Sequence, residues 1–73
     1  MSERIARARL QEKLELLKIW LTQNKDEGGL VDASALASKI EELGLNVQRT
    51  VRILKDEYWI FEVPEIGKWG VSK

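Results

Sequence analysis

Apolar residues along the chain fall into three helical stripes followed by one dense aromatic stretch. Leu10, Leu14, Leu17 and Leu21 recur at steps of four, three and four, which sets them on one side of a helix with Trp20 beside them. Good helix formers (Glu, Lys, Gln, Arg, Ala) fill the positions between. The pattern predicts a first helix over 3–23, with Ser2 as its N-cap and Asn24 and the Asp26-Glu27-Gly28-Gly29 cluster as its stop. Leu30-Val31 leaves room only for a minimal strand over 30–31. Asp32 is placed to cap a second helix over 33–43, whose stripe is Leu36, Ile40 and Leu43. Gly44 is the expected terminator, because glycine enters the left-handed region without a Cβ clash, and Leu45 plugs the corner behind it. Asn46 then caps a third helix over 47–57, with Val47, Val51, Leu54 and Tyr58 as its buried side.

The link between the second and third helices is residues 44–46, and so short a connector makes two helices cross steeply, as in a helix-turn-helix. Beyond Glu57 the chemistry changes. Tyr58-Trp59-Ile60-Phe61-Glu62-Val63 is rich in aromatic and β-branched residues and reads as a strand. Pro64-Glu65-Ile66-Gly67-Lys68 is a turn, and Trp69-Gly70-Val71 returns as a second strand, giving a hairpin over 59–72. The order is helix, short strand, helix, turn, helix, hairpin. It predicts an α+β fold, a three-helix winged helix-turn-helix with a C-terminal β-hairpin wing, occupying 1–73 as a single domain.

Composition narrows the chemistry. At 73 residues the core is small, although 44% apolar residues with three Trp suffice to fold one. There is no Cys and no His, so disulfides, thiolate-bound zinc and a Ser-His-Asp triad are excluded. The carboxylate pairs Asp26-Glu27, Glu41-Glu42 and Asp56-Glu57 are sequence neighbours, which diverge on a helix and make poor acid–base or metal sets. No Gly-x-x-x-x-Gly-Lys-Ser/Thr loop is present. The expectation is no catalytic residue, no metal and no cofactor, hence a chain that is not an enzyme by itself. No apolar run reaches the ~18–20 residues that span a bilayer, and the charged Met1-Ser2-Glu3-Arg4 start lacks a signal peptide's apolar stretch. These features predict no membrane partner and a soluble, cytoplasmic location.

Twelve basic and twelve acidic residues cancel, which argues against a strongly basic, non-specific nucleic-acid binder. The distribution is uneven. Residues 1–25 carry six basic residues against three acidic, 26–45 one against five, and 46–57 three against two. The third helix is the first candidate site. Gln48, Arg52 and Lys55 share a stripe turned away from its apolar side, with Arg49 and Thr50 flanking and Asn46 at the helix start. In a helix-turn-helix this stripe enters the major groove, where Arg reads guanine, Gln reads adenine and Lys takes phosphate. The same stripe is also what any amphipathic helix shows to solvent. On the wing, Lys68 is a candidate phosphate contact and Trp69 either a neighbouring contact or part of the core. Arg4, Arg7 and Arg9 either flank DNA as an arm or form a solvated helix end. Ile5, Leu16 and Ile19 lie opposite the leucine stripe of the first helix and form a second apolar stripe, which marks a protein partner unless the fold covers it.

Residues 31–63 resemble the general winged-helix pattern. Leu36-Ala37 is similar to the Leu-Ala pair of its second helix, Gly44-Leu45 to its turn, and Val51 and Leu54 to the apolar anchors of its recognition helix. Leu54-Lys55-Asp56-Glu57-Tyr58-Trp59-Ile60 resembles the Leu-x-x-x-Gly-x-Ile ending, stretched by one residue, with Tyr58 or Trp59 where glycine is usual. Ile60-Phe61-Glu62-Val63-Pro64-Glu65-Ile66-Gly67-Lys68-Trp69 resembles the wing of the C-terminal winged-helix domain of archaeal minichromosome maintenance (MCM) replicative helicases, with Val63 inserted. That resemblance implies a domain that tunes the ATPase of a DNA replication helicase without an ATP site of its own. Two functional readings follow. In one the chain binds double-stranded DNA through Asn46, Gln48, Arg49, Arg52, Lys55 and Lys68, weakly as a lone copy, as a helicase tail or a small transcription regulator. In the other it is a winged helix used for protein contact through Ile5, Leu16 and Ile19, against an ATPase domain of the same protein or a second copy.

Overall fold

The computed structural model describes the backbone of residues 3–72 and the side chains of residues 9–72. In chain order it contains α1 (Glu3–Asn24), β1 (Leu30–Asp32), α2 (Ala33–Glu42), α3 (Val47–Asp56), β2 (Ile60–Val63), a single 3₁₀ turn (Pro64–Ile66) and β3 (Lys68–Val71). The strands form one antiparallel sheet in the order β1-β3-β2. This is an α+β winged helix-turn-helix, with β2 and β3 as the wing.

Three leucines of the α1 stripe do what their spacing predicts, while Leu10 is only half-buried. Leu14, Leu17 and Leu21 are buried, and Leu17 and Leu21 meet Leu36 and Ile40 of α2, Leu54 of α3, and Val31, Ile60 and Val71 of the sheet. Trp20, Val47, Val51, Trp59 and Trp69 close the cluster from its edges. Strand alternation explains which face of the sheet joins this core. Val31 pairs with Trp69, and Ile60 with Val71, so these four share one face. Lys68 and Gly70 lie on the other, beside Asp32, Val63 and Phe61. Gly70 leaves room there for the Phe61 ring, which lies across it where a Cβ would stand.

Helices α2 and α3 end in the same way. The N–H of Gly44 donates to the Glu41 carbonyl and that of Leu45 to the Ile40 carbonyl, with Gly44 at φ 75°. After α3, Tyr58 donates to Lys55 and Trp59 to Leu54, with Tyr58 at φ 60°. Both are paired-bond stops that need a left-handed residue. Tyr58 therefore does not extend the buried stripe of α3 as its spacing suggests. It leaves the helix and is 79% exposed. Thr50, expected to flank the exposed stripe, is instead buried. Asp32 holds the N-cap position of α2, but its side chain makes no capping bond and faces Lys68. Ser2, the expected cap of α1, lies outside the described residues.

The turn after α1 is built by Asp26, whose Oδ1 accepts the N–H groups of Gly28 and Leu30 at 2.8 and 2.9 Å. The Leu30 bond, then the Gly28 bond and the nearby Lys68 ammonium, hold its carboxyl below the usual carboxylate range.

Candidate nucleic-acid interface

Asn46 sits just before α3 in an extended conformation, and its side-chain oxygen accepts the Arg49 N–H at 2.9 Å. This bond satisfies one of the orphan donors at the helix start and fixes where the helix begins. The Gly44 turn, closed behind Leu45, sets its direction. With Leu54 buried and Val47 and Val51 packed on the core, Gln48, Arg49, Arg52 and Lys55 are all exposed. The structure thus gathers Asn46, Gln48, Arg49 and Arg52 around one shallow depression at the N-terminal half of α3. Gln48, Arg52 and Lys55 also border a groove between α3 and the wing, which Val51, Asp56, Glu62 and Trp69 complete.

The cations of this surface differ in freedom. Arg49 and Arg52 make no ion pair with any described residue. Lys55 lies 3.7 Å from Glu62 and 5.9 Å from the centroid of the Trp69 ring. Lys68 lies beside the wing tip, directly after Gly67. It begins β3, pairs in register with Asp32, and its ammonium stands 3.5 Å from Asp32 and 3.6 Å from Asp26. It therefore lies on the sheet face opposite Trp69 and is engaged by two carboxylates. The tip itself carries Glu65 and Ile66, both exposed, and Gly67 at φ 63°. Trp69 is half-buried against the core with Glu62 as its β2 partner.

On α1, Leu16 and Ile19 are 54% and 53% exposed, so the rest of the fold leaves this stripe open. The side chain of Ile5, and those of Arg4 and Arg7, lie outside the described residues, while Arg9 is exposed. Beside Ile19, Lys18 donates to Glu57 at 2.9 Å, lies 3.6 Å from Glu15 and sits 5.3 Å above the Trp59 ring. The Glu57 hydrogen bond, against the opposing effect of burial, raises its pKa above the usual lysine value.

Two placements were not legible in the sequence. Lys13 brings its ammonium to Gly44, 3.6 Å from where a Cβ would stand, which places a cation at the helix-turn-helix corner. Glu62 enters the groove only because β2 pairs with β3 in the register that sets it opposite Trp69. Neither arrangement leaves a periodic signal. Among the described residues no acidic group gathers that could hold a metal ion, and no helix is long and apolar enough to cross a membrane.

Fold and surface together define a winged-helix module in which three of the five exposed cations among the described residues, Arg49, Arg52 and Lys55, lie on α3. No family model, curated protein or solved structure matches the chain.

Proposed function

We propose that this chain is a winged-helix module that engages duplex DNA through α3, with Asn46, Gln48, Arg49 and Arg52 as its contact residues and Lys55 joining from the groove. The observation that carries this reading is the pair Arg49 and Arg52, exposed on one face of a firmly capped helix and without carboxylate partners among the described residues. Guanidinium groups so placed suit phosphate oxygens or guanine edges. The wing adds little, since Lys68 is held by Asp26 and Asp32 and the tip carries Glu65. Affinity as a lone copy is therefore low. Attachment to a larger DNA-engaged assembly, such as a replicative helicase, would raise it through effective concentration.

The test is fluorescence anisotropy of a short labelled duplex, repeated over a salt series. Arg49→Ala/Arg52→Ala is expected to weaken binding roughly tenfold or more. It should also lower the magnitude of the log K against log[salt] slope by about two, one counterion per lost phosphate contact. Unchanged affinity with unchanged folding would remove α3 as the DNA surface.

The exposed Leu16 and Ile19 favour a second reading, a regulatory winged helix whose partner is a protein. Backbone amide shifts during a low-salt duplex titration separate the two. Shifts over 46–55 support the first; a silent α3 supports the second.

A further inference from the structure

We infer that the groove between α3 and the β2–β3 hairpin is a phosphodiester subsite, and that Glu62 is its built-in competitor, engaging Lys55 until a nucleic-acid phosphate replaces it. This rests on the duplex-binding reading above. Two apolar residues, Val51 and Trp69, and the donors Gln48, Arg52 and Lys55 line a groove of about 450 Å³. Lys55 leans from α3 toward the hairpin, its ammonium held between the Trp69 ring at 5.9 Å and the Glu62 carboxylate at 3.7 Å. Glu62 is carried by a paired strand opposite Trp69, not by a loose loop, so its charge stays at the groove. A phosphate arriving there meets Arg52 free and Lys55 occupied.

The exchange costs little. The Lys55 and Glu62 side chains are 47% and 58% exposed, and an exposed pair of this kind contributes about 0–1 kcal/mol. A phosphate contact is favoured in return by counterion release. The Trp69 contact keeps Lys55 aimed into the groove once Glu62 lets go. Asp56 also borders the groove and adds a second negative charge there, but it makes no ion pair with Lys55. Glu62 thus sets how strongly this groove attracts phosphate.

The test is a double-mutant cycle on duplex binding at low salt. Glu62→Gln is expected to tighten binding about three- to fivefold and steepen the salt slope by about one. Glu65→Gln, the same charge change at the wing tip, is the control and should change affinity less than about twofold. In a Lys55→Gln background the effect of Glu62→Gln should shrink to that of the control. An equal gain from Glu65→Gln, or a gain that persists without Lys55, would overturn the inference. If no variant binds duplex, the duplex reading falls. Inorganic tripolyphosphate, followed by NMR of the Lys55 side chain and the Trp69 indole N–H, then decides the subsite. A response at lower tripolyphosphate concentration in Glu62→Gln than in the wild type upholds it, and an equal or absent response in both rejects it.

Discussion

Tyr58 shows how much one residue can depart from the rule that governs its position. The chain needs a left-handed residue after α3 so that Tyr58 and Trp59 can bond back to Lys55 and Leu54. A non-glycine residue there costs roughly 1–2 kcal/mol, and Tyr58 recovers little by packing because its ring is exposed. Glycine would relieve that strain but bring its own entropic cost of roughly 0.5–1 kcal/mol. Tyr58→Gly is therefore expected to stabilise the fold by up to about 1.5 kcal/mol, read as a raised urea midpoint at constant m. The sequence shows that glycine is missing near this point, but not which of Tyr58 and Trp59 takes the strained conformation. That depends on which ring the core can accept, and it accepts Trp59.

At the level of elements, every helix and both wing strands were legible, because each carries its own periodicity and its own stop. Gly44 marks the helix-turn-helix corner by chemistry alone. The cap at Asn46 was equally readable, and it joins stability to the candidate site. Asn46→Ala removes the bond to the Arg49 N–H and is expected to cost about 1 kcal/mol, checked by chemical denaturation. Faster amide exchange confined to the first turn of α3 should accompany it. The contrast is Asp32, equally good as a cap by residue type. Its carboxylate turns to Lys68 because the β1–β3 register sets the two side by side, and local propensity contains no information about that register.

Across the whole molecule, α1 is the long axis. Its 22 residues run about 33 Å, against overall extents of 42 × 21 × 19 Å. It is tied to the far end of α3 by Lys18, whose side chain is only 12% exposed between Glu57, Glu15 and the Trp59 ring. The folded state raises the Lys18 pKa above 10.5, chiefly through the hydrogen bond to Glu57. The protonated form is thus favoured by folding. The resulting stabilisation is fully present below the unfolded value and disappears as pH rises through the folded one. Stability measured by denaturation should fall more steeply above about pH 10.5 in the wild type than in Glu57→Gln, which lacks the partner. Parallel curves would show that this contact does not couple α1 to the α3–β2 junction.

The sequence by itself determined the order of elements, the buried stripes of α1 and α2, the glycine corner and the exposed row of Gln48, Arg52 and Lys55. These follow from spacing within one segment, where periodicity and turn chemistry act locally. Tertiary structure alone decided which charges remain available. Lys68 is claimed by Asp26 and Asp32, Lys55 by Glu62, and Lys18 by Glu57, through strand register and helix packing that join distant segments. An ion pair depends on separation in space, and a linear pattern of charges does not contain it.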